Sequence, residues 1–317
     1  MNDGGATQQA RPATVHVVVT CANRKSQPIP ARLQLGQVPG RTQAERARRW
    51  ISRLTQAGDL PRIAAVDLYA GEHWSVARGC TALHLPDEVI RLWACSAGYG
   101  LIPAEALVKP YHATLTPGQA DSVPGTGAAW WSLLSEWPGP APEQPRTIQA
   151  LVDANPTATF MFVLSKSYLR VCGADITSAR EGIADPDRLF IVSAGARPEG
   201  DLAAAMVPAD ARLQARFSGT RRALNARIAA NLLAEGIRSK GEAADYLAWL
   251  LAAQPPIPRY DRKKQSDREI LDLIVRRLAQ SPGTSAHRLL REFRDAGLAC
   301  EQHRFSQLYR QATEAAL

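Results

Sequence analysis

Five short runs of apolar and β-branched residues, separated by segments with helical periodicity, most strongly constrain the fold of this chain. The runs are at 15–19, 63–66, 90–94, 160–164 and 189–192. Between the first two, residues 42–56 place Ala47, Trp50 and Leu54 on one helical face, opposite a series of arginines. Apolar strands alternating with helices predict an α/β domain with a mostly parallel, three-layer sheet.

The length of 317 residues suits two domains, and 45% hydrophobic with 21% charged residues excludes a disordered or coiled-coil chain. No apolar run approaches the ~18 residues of a membrane span, and residues 1–13 lack the pattern of a signal peptide. We predict a disordered leader at 1–13. The five scattered cysteines form no C-x-x-C pair, which favours buried thiols in a reducing cytoplasm.

The net charge of +8 is unevenly distributed. Residues 1–210 hold 19 basic and 19 acidic side chains, whereas 211–317 hold 19 basic and 11 acidic ones. This division predicts an α/β catalytic domain at 14–210 and a smaller, all-helical, basic nucleic-acid-binding domain at 211–317.

The final 50 residues have the pattern of three helices, the last two joined by a turn containing Gly297. This pattern predicts a helix-turn-helix-like end. The side chains expected to contact DNA are Arg262, Lys263 and Lys264 in a basic stretch, and Gln302, His303, Arg304, Gln307 and Arg310 on the last helix. The alternative is a three-helix cap whose arginines are only solvated.

Small, polar and aromatic residues follow each predicted strand. Examples are Ser96-Ala97-Gly98, Ser193-Ala194-Gly195 and Ser165-Lys166-Ser167-Tyr168. Ligands of parallel sheets bind beyond the carboxyl ends of the strands, so this edge is the expected site, with Ser96 and Ser193 near phosphate. Neither a Walker motif nor G-x-G-x-x-G is present, and the sequence indicates no cofactor and no metal.

Four carboxylates near this edge are candidates for a catalytic base: Asp67, Glu72, Asp121 and Asp175. A carboxylate in the first turn of a helix, such as Glu72, is often only a partner of the helix dipole. A solvated or capping role is the alternative for each of them.

Pro110-Tyr111-His112, followed by Gly118-Gln119-Ala120, resembles the water-activating motif of uracil-DNA glycosylases, in which Pro-Tyr-His precedes Gly-Gln-Ala. The chain departs from that family before the proline, where Lys109 replaces the aspartate that activates water.

A broader resemblance spans about 100 residues in the same order: Val19-Thr20-Cys21 with Arg24-Lys25, Asp67-Leu68-Tyr69-Ala70-Gly71, Ser96-Ala97-Gly98-Tyr99-Gly100-Leu101, and Pro110-Tyr111 with Ala113-Thr114-Leu115. It is similar to glycosylase-like domains that accompany deazaguanine tRNA transglycosylases. With a basic C-terminal region, it also resembles phage-defence DNA glycosylases that remove glucosylated hydroxymethylcytosine from viral DNA.

The resemblance implies base flipping and hydrolysis through an oxocarbenium-like sugar, leaving abasic sites. The implied residues are Asp121, Glu72 and His112 for catalysis; Tyr69, His73, Tyr99, Tyr111, Ser165 and Tyr168 for the base or sugar; and Arg24, Lys25, Ser96, Lys109 and Ser193 for phosphate. Trp130, Trp131 and Trp137 could stack on a sugar or pack in the core.

The expected partner is phage DNA with modified bases, without a membrane and without an obligatory protein partner. Two other functions fit the same pattern. One is a non-enzymatic DNA-binding regulator, and the other is a base-exchange transglycosylase or deoxyribosyltransferase. A nuclease is disfavoured because the sequence contains no evident cluster of Asp, Glu and His.

Overall fold

The structure is a computed structural model that describes residues 12–58, 60–83, 85, 87–256 and 261–314. Its contacts divide the chain into two compact units, Met1–Pro255 and Pro256–Leu317. Most of the predicted leader lies outside the described residues, but Ala13 already belongs to the first strand.

The described strands are β1 (Ala13–Thr20), β2 (Ile63–Ala64), β3 (Glu88–Ser96), β4 (Gly100–Pro103), β5 (Leu107–Val108), β6 (Thr159–Val163), β7 (Leu189–Val192), β8 (Lys263–Lys264) and β9 (Leu298–Ala299). The α-helices are α1 (Gln43–Gln56), α2 (Ala65–Leu68), α3 (Glu72–Cys80), α4 (Gly127–Ser135), α5 (Ile148–Asp153), α6 (Lys166–Gly182), α7 (Gly200–Ala204), α8 (Leu224–Ala234), α9 (Lys240–Ala252), α10 (Asp267–Gln280), α11 (Ala286–Asp295) and α12 (Gln302–Glu314). Short 3-10 helices occur at Ala31–Leu33, Leu35–Gln37, Pro186–Arg188, Ala211–Gln214 and Arg221–Ala223.

The first unit is built on a five-stranded sheet in the order β4-β3-β1-β6-β7. β3, β1, β6 and β7 run parallel, and β4 pairs antiparallel with β3. Successive residues of a strand point to opposite faces, and Val17 and Val18 are both fully buried, so both faces of the sheet are covered. The predicted α/β class with a mostly parallel sheet is confirmed.

One predicted strand does not belong to this sheet. The run at 63–66 extends only over Ile63–Ala64, which pairs antiparallel with β5, and the chain then turns into α2. The fifth strand of the sheet is instead β4. Gly100 has a φ of 73°, a left-handed conformation in which glycine is not strained. The chain therefore reverses after β3, and Leu101 and Ile102 are buried beside it.

Residues 211–255 are part of the first unit, which corrects the predicted domain boundary at 210. Leu213, Leu224, Ile228 and Leu247 are fully buried or nearly so, and they share one hydrophobic core with Val17. In this segment the first α-helix, α8, starts at Leu224. Before it, the chain forms two 3-10 helices separated by Gly219, whose φ is 124°.

The second unit has a small core of its own, formed by α10, α11 and α12. Its members include Ile270, Ile274, Leu289, Phe293 and Phe305. It is not all helical, because β8 and β9 pair in a short parallel ladder. α10 is capped by Ser266 in a reciprocal capping box with Glu269, and Asp267 is the first helical residue.

Candidate functional site

The carboxyl ends of β1 and β6 form the switch point of the sheet. β1 connects to β3 on one side, whereas β6 and β7 lie on the other, which is where ligands bind in open α/β sheets. The two ends are tied together, since the Ser165 backbone N–H donates to Thr20 Oγ1 at 3.0 Å.

The loop after β1 is paired with the segment around Tyr69. The Ser26 N–H donates to the Leu68 carbonyl at 2.8 Å, and the Ala70 N–H donates to the Arg24 carbonyl at 3.0 Å. Lys25 and Tyr69 face each other in this antiparallel bridge. Two segments more than 40 residues apart in sequence are thereby joined at the edge of the sheet.

Five side chains form a buried network, which we call the Tyr111 cluster. They come from all four segments of the broader resemblance and from α6: Cys21, Tyr69, Ser96, Tyr111 and Tyr168. Tyr111 Oη lies 2.6 Å from Ser96 Oγ and 2.9 Å from Tyr69 Oη. Cys21 Sγ lies 3.2 Å from Tyr168 Oη and 3.9 Å from Tyr111 Oη. The predicted pocket residues Tyr69, Tyr111 and Tyr168 are thus brought together.

The direction of hydrogen bonding in the cluster follows from Ser96. Ser96 Oγ accepts the backbone N–H groups of Tyr99 at 2.9 Å and Gly98 at 3.2 Å. Both lone pairs are then used, so the Ser96 hydroxyl donates to Tyr111. Tyr111 in turn donates toward Tyr69 or Cys21.

Gly98 is required for this packing. A Cβ atom at Gly98 would lie 2.3 Å from Cε2 of the Tyr111 ring. Any larger residue would displace the ring.

Burial raises the pKa values of Tyr69, Tyr111 and Tyr168 well above the ordinary value of a phenol. The three phenols therefore stay protonated at neutral pH. They can donate or relay a hydrogen bond, but they cannot serve as bases.

Lys25 lies against the Tyr111 cluster. Its Nζ is 4.6 Å from the centre of the Tyr111 ring and 5.0 Å from that of the Tyr69 ring. It donates to the carbonyls of Ala22 at 2.6 Å and Asn23 at 3.1 Å. The neighbouring Arg24 is exposed.

His112 and Asp121 form a second polar group. His112 Nδ1 lies 2.8 Å from Asp121 Oδ2, and Asp121 Oδ1 accepts the Gly36 N–H at 2.8 Å. Asp121 is 7% exposed, whereas the His112 side chain is 40% exposed. The carboxylate thus orients a ring whose Nε2 lone pair is free to accept a proton when the ring is neutral.

Glu72, the other predicted catalytic carboxylate, is engaged elsewhere. It accepts a hydrogen bond from the Thr220 N–H at 2.9 Å and pairs with Arg227, and these partners lower its pKa to about 2. Such a carboxylate is a poor base. Its neighbour His73 donates from Nε2 to the Thr20 carbonyl at 3.0 Å, and burial lowers its pKa. Through these contacts both residues stabilise the position of α3.

The predicted phosphate ligands Lys109, Ser96 and Ser193 are buried, so these three predictions are corrected. Lys109 is 2% exposed and donates to the carbonyls of Leu54 and Thr55 in the last turn of α1, where a cation is favourable. Ser96 and Ser193 are at most 1% exposed.

Two further pocket residues have structural contacts. Tyr99, 2% exposed, accepts the Lys109 N–H at 3.0 Å and stacks on Trp137. Ser165 is the N-cap residue of α6. The indoles of Trp130 and Trp131 are buried and donate to the Ala97 carbonyl and Asp175 Oδ2. The core-packing alternative therefore holds for these two tryptophans.

The remaining two carboxylates also have evident roles. Asp175 accepts three hydrogen bonds, from the Trp131 indole and the backbone N–H groups of Ile148 and Gln149, which caps α5. Asp67 is exposed and lies 3.7 Å from Arg78. Asp121 is the candidate that is both buried and linked to a titratable side chain beside Tyr111.

In the second unit, the predicted DNA ligands fall into two groups. Arg304 pairs with Asp267 at 2.7 Å, and Arg262 donates to the Arg294 carbonyl at 3.1 Å, so both stabilise the fold. Lys263, Lys264 and Arg310 have exposed side chains. For Arg304 and Arg262, these contacts correct the prediction that the side chains are free to bind phosphate.

Sequence reasoning missed Cys21 and Asn225. Cys21 belongs to the first segment of the broader resemblance and follows a strand, but we predicted no role for it at the site beyond that of a buried thiol. Asn225 donates to the Leu164 carbonyl at 3.0 Å and accepts the Ala194 N–H at 2.9 Å, which joins the ends of β6 and β7. No sequence signal identifies this contact, because it depends on how α8 packs.

A cavity of about 740 Å³ lies at the opposite edge of the sheet. Its lining includes His16, Arg91, Trp93 and Asn155. Burial lowers the pKa of His16 to about 4, with a further contribution from the charge of Arg91. None of the predicted site residues lines it, so we place the candidate chemistry at the carboxyl edge.

Among the described residues, no helix has the length and apolar character to cross a membrane, and no group of three or more His, Cys, Asp or Glu side chains is placed to hold a metal ion. Comparison with models of protein families, with curated proteins and with solved structures found no match to this chain.

Proposed function

We propose that this chain is a cytoplasmic DNA glycosylase that hydrolyses the N-glycosidic bond of a modified base, with glucosylated hydroxymethylcytosine of phage DNA as the leading substrate. One observation carries the proposal. The four segments that resemble glycosylase-like domains, spread over about 100 residues, meet at the switch point of a parallel sheet.

The His112–Asp121 pair supplies the base in this proposal. Asp121 accepts a hydrogen bond from the Nδ1–H group and so keeps Nε2 unprotonated, and Nε2 removes a proton from the water that attacks C1′ of the sugar. As the C1′–N bond breaks, positive charge develops on the sugar and negative charge on the departing base. The carboxylate of Asp121 also stabilises the imidazolium that forms.

In this proposal the Tyr111 cluster fixes the carboxyl edge beneath the flipped base. Its phenols are buried, hydrogen-bonded within the cluster and protonated, so they hold the segments of the site together without competing for the proton. The second unit, with exposed Lys263, Lys264 and Arg310, holds the DNA backbone.

The experiment is to incubate purified full-length protein with T-even phage DNA that carries glucosylated hydroxymethylcytosine, with the same DNA lacking glucose, and with unmodified DNA. We expect released base, identified by mass spectrometry, and abasic sites in the first DNA. Absence of abasic sites on every modified DNA would overturn the proposal, and an exchanged base in place of an abasic site would indicate a transglycosylase.

The site is tested by His112→Gln and Asp121→Asn. Removing a general base lowers the rate of base release by about 100- to 10,000-fold. Glu136→Gln, at an exposed position on the same unit, is the matched control and retains full activity. Full activity in both site variants would exclude His112 and Asp121 as the catalytic base.

A further inference from the structure

The surroundings of Lys25 are unusual for a lysine that only contacts phosphate. The side chain is half-buried, and its Nζ lies over the faces of two tyrosine rings. In the part of the chain that the structure describes, no carboxylate forms an ion pair with it. Its hydrogen bonds go to the neutral carbonyls of Ala22 and Asn23.

The loop that carries Lys25 is held in place. Backbone pairing with Leu68 and Ala70 fixes residues 24–26 against the segment around Tyr69. The loop follows β1 directly, so the amine is presented at the switch point. Lys25 therefore has a defined position beside the phenols of the Tyr111 cluster.

Burial lowers the pKa of Lys25 to about 8, and the nearby Cys21 acts in the opposite direction. With this pKa, about a tenth of the amines are neutral at pH 7, far more than for an ordinary lysine. Desolvation beside apolar or aromatic groups is a common way to make a lysine nucleophilic.

We propose that Lys25 is an amine nucleophile that forms an imine with the C1′ aldehyde of an abasic deoxyribose in DNA, and that the protein thereby cleaves the strand at abasic sites. This inference rests on the proposed function, because base removal generates the aldehyde. The substrate class is the ring-opened sugar of an abasic site.

The chemistry balances without a cofactor. The Lys25 Nζ lone pair forms a bond to C1′, and the aldehyde oxygen leaves as water, giving the imine. Loss of the C2′ proton to solvent or a nearby base then breaks the C3′–O bond, and the 3′ phosphate leaves. Water hydrolyses the unsaturated imine, which frees the unsaturated aldehyde, still joined to the strand through its 5′ phosphate, and restores the amine.

The test uses the full-length protein and an end-labelled duplex with a preformed abasic site, so that it does not depend on which base the protein removes. Borohydride reduces an imine to a stable amine. We expect a covalent protein–DNA adduct with the label, and peptide mapping of the unmodified protein should place the adduct on Lys25. Strand cleavage should appear when borohydride is omitted.

Lys25→Met and Lys25→Arg should both lose the adduct, because arginine retains the charge but not the nucleophile. Lys240→Met, on α9, is the matched control and should retain it. Melting temperatures verify that each variant is folded.

No adduct with the unmodified protein, or an adduct mapped to another residue, would overturn the proposal about Lys25. Base release from modified DNA is measured separately, so the glycosylase proposal can stand when this one fails. Conversely, an adduct on Lys25 without base release would support the proposal of imine formation and contradict the proposed glycosylase activity.

Discussion

The segments 211–255 and 256–317 have equal net charge but use their cations differently. The first holds seven basic and three acidic residues, the second twelve and eight. Four of the seven cations in 211–255 pair with carboxylates of residues 1–210: Arg212 with Asp210, Arg227 with Glu72, Arg238 with Glu88 and Lys240 with Asp187. In the second segment, Lys263, Lys264 and Arg310 are exposed. Four cations of 211–255 thus join this segment to residues 1–210, whereas the ion pairs of 256–317, such as Arg304 with Asp267, lie within the second unit.

The largest expected effect comes from two truncations that separate the segments. Removing residues 256–317 should leave a folded α/β unit, because the core of the first unit ends before Pro256. It should also abolish most salt-dependent DNA affinity, since it removes the exposed cations of the second unit. Removing 211–317 should unfold the protein. It deletes Leu213, Ile228 and Leu247 from the core and exposes the apolar residues against which they pack. Circular dichroism and melting curves check the folding, and binding titrations at several salt concentrations check the affinity.

A stable product of the truncation at residue 210 would contradict the assignment of 211–255 to the first unit. Undiminished DNA binding after truncation at 255 would contradict the role given to the second unit.

The next effect is on stability alone. Arg238 and Glu88 form an ion pair in which Nε and Nη2 both donate to Oε2, at 2.9 and 2.7 Å, and the side chains are 14% and 22% exposed. Arg238→Met leaves the carboxylate without its partner and should lower the free energy of unfolding by about 2–3 kcal/mol. DNA affinity should not change. Denaturant titrations measure the loss, and Arg222→Met, at an exposed position, should stay within about 0.5 kcal/mol of the unmodified protein.

A loss of DNA affinity in a folded Arg238→Met protein would place the binding surface in 211–255 and remove the distinction between the segments.

Much of the α/β unit was predictable because fully buried strands have nearly continuous apolar sequences. Four of the five predicted runs became β1, β3, β6 and β7. The run at 63–66 was wrong, since a short apolar run does not distinguish a strand from the start of a buried helix. β4 was missed because it depends on the reversal at Gly100.

The site was predictable at the level of its edge but not of its side chains. Residues that follow parallel strands must meet at one edge, which brings Cys21, Ser96 and Tyr168 together. Tyr69 and Tyr111 reach this edge by another route, since they follow α2 and β5 outside the main sheet. The sequence did not show that Ser96 and Lys109 point inward, because that direction is set by packing. It also did not show which arginines have carboxylate partners, so the charge count overextended the DNA-binding domain to residue 211.

A smaller effect compares exposed cations of the two segments directly. Lys263→Ala with Lys264→Ala removes two exposed charges from the second unit, and Arg221→Ala with Arg222→Ala removes two from 211–255. If Lys263 and Lys264 contact phosphates, the first pair should lower the slope of log affinity against log salt by about 2. The second pair should leave the slope unchanged. Equal losses would extend the DNA surface into the first unit.

The smallest effect is the pH dependence of the Glu72 contact between α3 and the segment 211–255. The hydrogen bond from Thr220 and the pairing with Arg227 lower the pKa of Glu72 from 4.5 to about 2 in the folded protein. Because the folded pKa is depressed, the contact contributes its full stability above about pH 4.5 and loses it as the pH falls toward 2. Denaturant titrations between pH 2 and 7 should show a shallower decline for Glu72→Gln than for the unmodified protein, with the two curves converging near pH 2. Glu136→Gln should run parallel to the unmodified protein throughout. Parallel curves for Glu72→Gln would mean that Arg227 and Thr220 do not distinguish the charged from the neutral carboxyl, and that the cations of 211–255 contribute packing rather than charge.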